Sequence, residues 1–384
     1  VRLRLATAGE SHGPSLCGIL DGLPHGLRLD EARLREAMHR RQRGYGRGGR
    51  QKIERDELEI LSGVRGGLTI GAPVAFLVRN RDHDAWLDTM SPFGDNAAAR
   101  PLTRPRPGHA DLAGALKLEL TDARDVLERA SARSTAIRVG AGALCAALLD
   151  ELGVTIWSHV VRIGTVDAPA LGDLAAARVR AEASEVRCAD DASGARMVEA
   201  IVAAQHDGDS LGGVVEVIAA GVPAGLGSHA EWDRRLDGRI AQAFMSIPSC
   251  KGIEVGLGFA SATQRGSEVH DPIAHDGRRF TRPTNHAGGI EGGITNGEPV
   301  VVRAAFKPIP TLARPLASVD LATKQSFSAQ KERTDSCAVP AAAVIAEAAL
   351  AFVLADALLD KTGGDSMREV ARNLAAHAAA VRAL

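Results

Sequence analysis

The chain has 384 residues, enough for one large domain or two ordinary ones, and its 45% hydrophobic content excludes a disordered protein. With 46 basic against 47 acidic residues there is no overall field to gather nucleic acid or an anionic membrane, so neither is expected as a partner and any basic site is local. Five scattered cysteines without C-x-x-C spacing argue against a disulfide framework or a structural zinc, and fit a reducing compartment, hence the cytoplasm.

The opening "VRLRLATA" alternates at period two and predicts an amphipathic strand, with no apolar signal core after it. "GILDGLPHGLRL" continues extended, and Asp30 is placed to cap a helix through Leu34, Ala37 and Met38 to about Arg41. Residues 40–56 form a loop dense in glycine and arginine. "ELEILSGVRGGLTIGAPVAFLVRN" predicts two strands joined through Gly66-Gly67, followed by an irregular segment, 81–103. A small-residue helix is expected over Ser131–Leu152, ending at Gly153. Strands at 211–223 and 296–310 flank a helix at 229–248, and a long helix runs from Pro340 to Lys361. That last segment has nearly the length of a membrane span, but Glu347 and Asp356 interrupt it and predict a buried helix instead. The second half repeats the rhythm of the first, so a loose two-fold duplication within a single α+β domain, 1–384, is expected.

Gly9-Glu10-Ser11-His12-Gly13 matches the G-x-S-x-G pattern of a serine nucleophile elbow. An elbow needs a buried parallel strand before the serine and a helix after it; here Arg2 and Arg4 mark the strand, and Pro14, Gly18 and Gly22 break any following helix. Residues 44–49 can be forced into G-x-G-x-x-G, but they follow a helix rather than a strand. Both patterns fail their context.

What remains is two glycine-flanked histidines, His12 in "GESHG" and His109 in "RPRPGHAD", amid Arg40, Arg41, Arg43, Arg47, Arg50, Arg104, Arg106, Arg129 and Arg133. Histidine beside guanidinium groups suits general acid chemistry on an anionic substrate. "TNHAGGIEGGITNGEP" (284–299) has the small residues expected where backbone lies flat on a planar ligand, and Lys307, Arg333 and Asp335 precede the long helix, with Asp335 expected to be available for catalysis.

Taken in order over essentially the whole chain, "GESHG", "RRQ…GYGR", "LSGVRGG…GAPVAFLVRN", "RPRPGHAD", "RASAR", "GDSLGG", "TNHAGGIEGGITNGEP…KPIPT" and "ERTDSCAVPAA" resemble the chorismate synthase family. The resemblance implies a β-α-β sandwich assembled as a homotetramer. It also implies a lyase converting 5-enolpyruvylshikimate 3-phosphate to chorismate and phosphate by 1,4-anti elimination, dependent on reduced FMN. By motif, His12 would protonate the departing phosphate with Ser11 beside it, His109 would lie at the flavin's pyrimidine edge, and Asp335 with Ser131 would assist proton movement. FMN would be held by Arg129, Ala130, Ser131, Gly292, Lys307, Pro308, Ile309, Pro310, Thr311 and Arg333. Arg41 and Arg47 match a pair that contacts NADP or a neighbouring anion; here substrate and flavin phosphate binding, or loop closure, is the expected role, with NADPH only an indirect reductant through an external flavin reductase. No metal is implied. Where the family pattern commonly reads "GGGRSSARET", this chain reads "VLERASARST".

Overall fold

The alternating N-terminal residues form strand β1 (Arg4–Ala8), which pairs antiparallel with β2 (Ser15–Asp21). The computed structural model describes residues 3–48, 54–94, 99–330 and 335–384. Asp30 accepts the Ala32 N–H at 2.9 Å and starts helix α1 (Glu31–Gln42), as its sequence predicts. β3 (Glu59–Ile60) and β4 (Val74–Arg79) complete a four-stranded sheet of order β1-β2-β4-β3, and a small hairpin turns at Gly66-Gly67 in their connection. Two short helices follow, α2 (Asp111–Leu118) and α3 (Arg124–Ala130). The small-residue helix α4 (Thr135–Glu151) begins four residues later than expected, because residues 132–134 form a separate 3-10 turn.

The second half opens with β5 (Thr155–Ile163), β6 (Val166–Asp167) and helices α5 (Leu174–Ala183) and α6 (Asp191–His206). Then come β7 (Gly213–Ala220), α7 (Leu236–Met245), β8 (Cys250–Val255) and β9 (Val300–Phe306), and the helices α8 (Val339–Thr362) and α9 (Met367–Ala383). Its antiparallel sheet has order β8-β9-β7-β5-β6. β1, β2, α1, β3, β4, α4 therefore recur as β5, β7, α7, β8, β9, α8, with the same strand order in each sheet.

The duplication extends to individual hydrogen bonds. In the first half Leu27 N–H donates to Thr69 Oγ1 (2.9 Å) and that hydroxyl donates to Pro24 O (2.6 Å). In the second, Leu226 N–H donates to Thr295 Oγ1 (2.9 Å), which donates to Pro223 O (2.7 Å).

Helices α4 and α8 pack between the sheets and share one apolar core with them, giving the β-α-β sandwich. At their crossing Gly142 faces Ala348 so closely that a Cβ on Gly142 would lie 2.3 Å from the Ala348 Cβ. α8 is apolar and long enough to cross a membrane, yet it is almost wholly buried in the protein. Its two carboxylates are paired inside: Glu347 with Arg40 (2.7 Å) and Arg187 (3.1 Å), and Asp356 with Arg239 and the Leu3 N–H.

Candidate active site

The loops at one end of the sandwich enclose a cavity of about 500 Å³, within the range of small-molecule sites. Its walls come from equivalent places in the two halves. The β1–β2 loop brings Ser11 and His12 and the segment before β7 brings Leu211; the last turn of α1 brings Arg41 and the loop after it Arg47, and the residues after α7 bring Ile247, Pro248 and Ser249. Asp82 and Trp86 after β4 are matched by Phe306, Lys307, Ile309, Pro310 and Thr311 after β9. Ala130–Arg133 before α4 are matched by Asp335 and Ala338 before α8, so the N-terminal ends of both central helices face the cavity, where their dipoles favour anions. Gly108, His109 and Ala110 close it.

The β1–β2 loop is tight: Gly9 has φ +103°, and a Cβ there would lie 2.4 Å from Ser15 O. Asn80 Nδ2 donates to Glu10 O (3.1 Å) and Gly13 O (2.7 Å), which fixes the loop. A strand, β2, and not a helix follows Ser11, so no nucleophile elbow forms. His12 is held from α3: its Nδ1 lies 2.8 and 3.0 Å from the Glu128 carboxylate oxygens, and its backbone N–H donates to the same carboxylate at 2.9 Å. The ring stacks on Trp86 at 3.9 Å, and Arg100 covers Trp86 at 4.5 Å. Burial raises the Glu128 pKa, but the hydrogen bonds and charge of His12, with Arg124, outweigh it and hold the group below its ordinary value.

His109 has its own carboxylate. Its Nδ1 lies 2.5 Å from Asp111 Oδ1, and Arg106 forks onto the same carboxylate at 2.8 and 3.1 Å while donating to Thr311 Oγ1 at 3.0 Å. Asp111 is fully buried; that burial raises its pKa, yet His109 and Arg106 hold it well below the usual carboxylate range. Lys307 Nζ donates to Gly108 O, which ties the His109 loop to the end of β9.

The arginines are less free than their sequence suggests. Arg41 donates to Thr135 Oγ1 (3.0 Å), Ala132 O (3.0 Å) and Asp56 Oδ2 (2.9 Å), and Arg133 shares Asp56. Burial pushes Arg41 down, Asp56 opposes this and Arg133 adds to it, with a net value of about 10, so it stays charged at neutral pH. It contributes a field more than an open fork. Arg47 pairs with Asp335 at 2.8 Å, and Asp335 also accepts the Gly48 N–H at 2.6 Å, so that carboxylate is engaged rather than available. The buried Nε of Arg47 has no partner among the described residues, which suits a bound anion.

The family model for chorismate synthases matches residues 3–359. The chorismate synthase of Moorella thermoacetica is 58% identical over 376 residues, covering 98% of each chain, and that of Aquifex aeolicus is 53% identical over 96% of this chain and 95% of its own. A solved chorismate synthase crystal structure superposes with a TM-score of 0.82 at 43% identity, over 100% of this chain and 99% of that one. The chain belongs to the chorismate synthase family. It is accordingly an enzyme, a lyase of chorismate formation in the shikimate pathway.

Of the residues expected from that family's motifs, Ser11, His12, Arg41, Arg47, His109, Ala130, Ser131, Lys307, Ile309, Pro310, Thr311 and Asp335 do line one cavity. Arg129 turns away, donating to Thr7 O (3.0 Å) and Gly9 O (3.0 Å). Pro308 does not line the cavity, and Arg333, like Arg50, lies outside the described residues. Gly292 sits in the hairpin at the start of β9, whereas Lys307–Thr311 leave its other end, a strand of seven residues away, or roughly 20 Å. Its neighbours Gly288, Gly289 and Gly293 serve close backbone packing, a Cβ on Gly289 lying 2.4 Å from Pro299 O, while Gly292 faces open space. Sequence reasoning missed Asp111, Glu128, Trp86, Asp56 and Asn80; only Asp111, two residues after His109, carried a local signal.

Proposed function

We propose that the chain converts 5-enolpyruvylshikimate 3-phosphate to chorismate and phosphate in this cavity by 1,4-anti elimination, with FMN in its reduced form as cofactor. The observation that carries the reading is one cavity faced by two carboxylate-held histidines, cationic side chains and two helix N-termini. A substrate with one phosphate and two carboxylates needs such a field. His12 gives its proton to the phosphate oxygen as the allylic C–O bond breaks, with Ser11 as a neighbouring polar contact. Ser131 offers a hydroxyl toward the departing C6 proton, and Asp335 acts through its ion pair with Arg47, fixing that cation in the cavity.

The cavity fits a flavin on its own chemistry: Ala338, Val339, Ala341, Ala342 and Ile345 offer an apolar wall for a planar ring, and the unpartnered Arg47 Nε a donor for an anion. Ala130, Ser131 and the run Lys307–Thr311 would hold it, with His109 at its pyrimidine edge. Reduced flavin supplies transient electron density to the substrate, with no net redox change. NADPH enters only through a separate flavin reductase, and Arg41 and Arg47 serve the substrate and flavin anions. A role for Gly292 at the flavin requires a contact from a second copy of the chain, consistent with a homotetramer. The working compartment is the cytoplasm.

An anaerobic assay with photoreduced FMN tests the reading. Chorismate and phosphate should form in equal amounts, with none formed under oxidised FMN. Normal flavin binding without either product would leave a flavin-binding protein and overturn the lyase. His109→Ala should slow turnover while retaining FMN.

A further inference from the structure

We propose that Glu128 is the positioning residue of His12, fixing its ring and committing Nδ1 so that proton donation falls to Nε2. This rests on the reading of His12 as the acid that protonates the departing phosphate. The two residues are 116 apart in sequence, yet Glu128 meets His12 three times, at both Nδ1 contacts and at the backbone N–H. Glu128 is 2% exposed, and Trp86 holds the other side of the ring by stacking.

The two histidine–carboxylate pairs are built differently. Asp111 is forked by Arg106 and shares its charge with a guanidinium, whereas the nearest arginine contact to Glu128, from Arg124, is at 3.4 Å. The charge of Glu128 is therefore directed mainly at His12. In the step itself the C–O electron pair leaves with the phosphate oxygen, the Nε2 proton passes to that oxygen, and His12 becomes neutral with its Nδ1–H still donated to Glu128. The carboxylate stays ionised throughout, and water restores the proton after product leaves.

The test uses the whole enzyme with reduced FMN. In Glu128→Gln, kcat should fall about 100-fold, the lower end of a general acid's contribution, with KM and FMN affinity within about threefold. Glu128→Asp should recover part of the loss. His12→Gln alone and the double variant should be equally slow, because the carboxylate acts through His12. Wild-type kcat in Glu128→Gln, beside a slow His12→Gln, would overturn this assignment alone. Wild-type turnover in His12→Gln would overturn it together with the acid role of His12. A slow Glu128→Gln that has lost FMN and thermal stability, with Glu128→Asp no faster, would make Glu128 structural and overturn it too.

Discussion

Among the described residues Asp56 is the only carboxylate that Arg41 and Arg133 share, and all three side chains are buried, with Asp56 at 0% exposure. Asp56→Asn keeps the shape and removes the charge, leaving two buried guanidinium groups to repel each other. Removing one partner of a buried pair costs about 3–5 kcal/mol. The lower end applies here, because Glu54 remains 3.6 Å from Arg133 and Arg41 keeps its bonds to Thr135 and Ala132. At about 2 °C per kcal/mol for a chain this long, Tm should fall by roughly 5 °C. Calorimetric unfolding of wild type and variant reads this directly, and ligand-free protein suffices. A Tm unchanged within about 1 °C would refute the claim that Asp56 neutralises this cluster.

Gly142→Ala should destabilise the protein by about 1–3 kcal/mol, as overpacking at a helix crossing does, and urea unfolding at equal m-value checks it; wild-type stability would mean the two helices separate at no cost. Asp111 has a folded pKa below its ordinary 3.8, so its contribution to stability is present above that value and is lost as pH falls through the lower folded value. Wild type should therefore lose Tm more steeply than Asp111→Asn on acidification below about pH 5, and coincident slopes would remove the linkage. Neither wild type nor Ser11→Ala should label with a fluorophosphonate; wild-type labelling lost on substitution would restore the nucleophile.

Much of the framework is legible because local physics decides it. Asp30 caps a helix wherever the apolar spacing starts one, and the Gly66-Gly67 turn needs no tertiary help. His12 and His109 announce themselves by flanking glycines, and both reach the cavity. The partners of the site are another matter: Glu128 lies on a seven-residue helix with no periodic signature, and its meeting with His12 is set by how that helix docks. Arg129 and Asp335 show the reverse error, since charges that look open in sequence are taken up by Thr7 and Arg47. Gly292 is expected at the flavin only from the family motif, and within this chain it faces open space, whereas its neighbours Gly288, Gly289 and Gly293 pack backbone closely. The duplication was legible as rhythm; its consequence, a cavity made of paired loops at one end of the sandwich, required the fold.

The most direct test of the account is a crystal structure of the chain with FMN and the enolpyruvyl substrate. The account predicts electron density for both in the 500 Å³ cavity, with the flavin ring between His109 and Ser131, the Lys307–Thr311 run against it, and the substrate phosphate at His12. Flavin bound elsewhere on the chain, with the cavity holding only solvent, would contradict it.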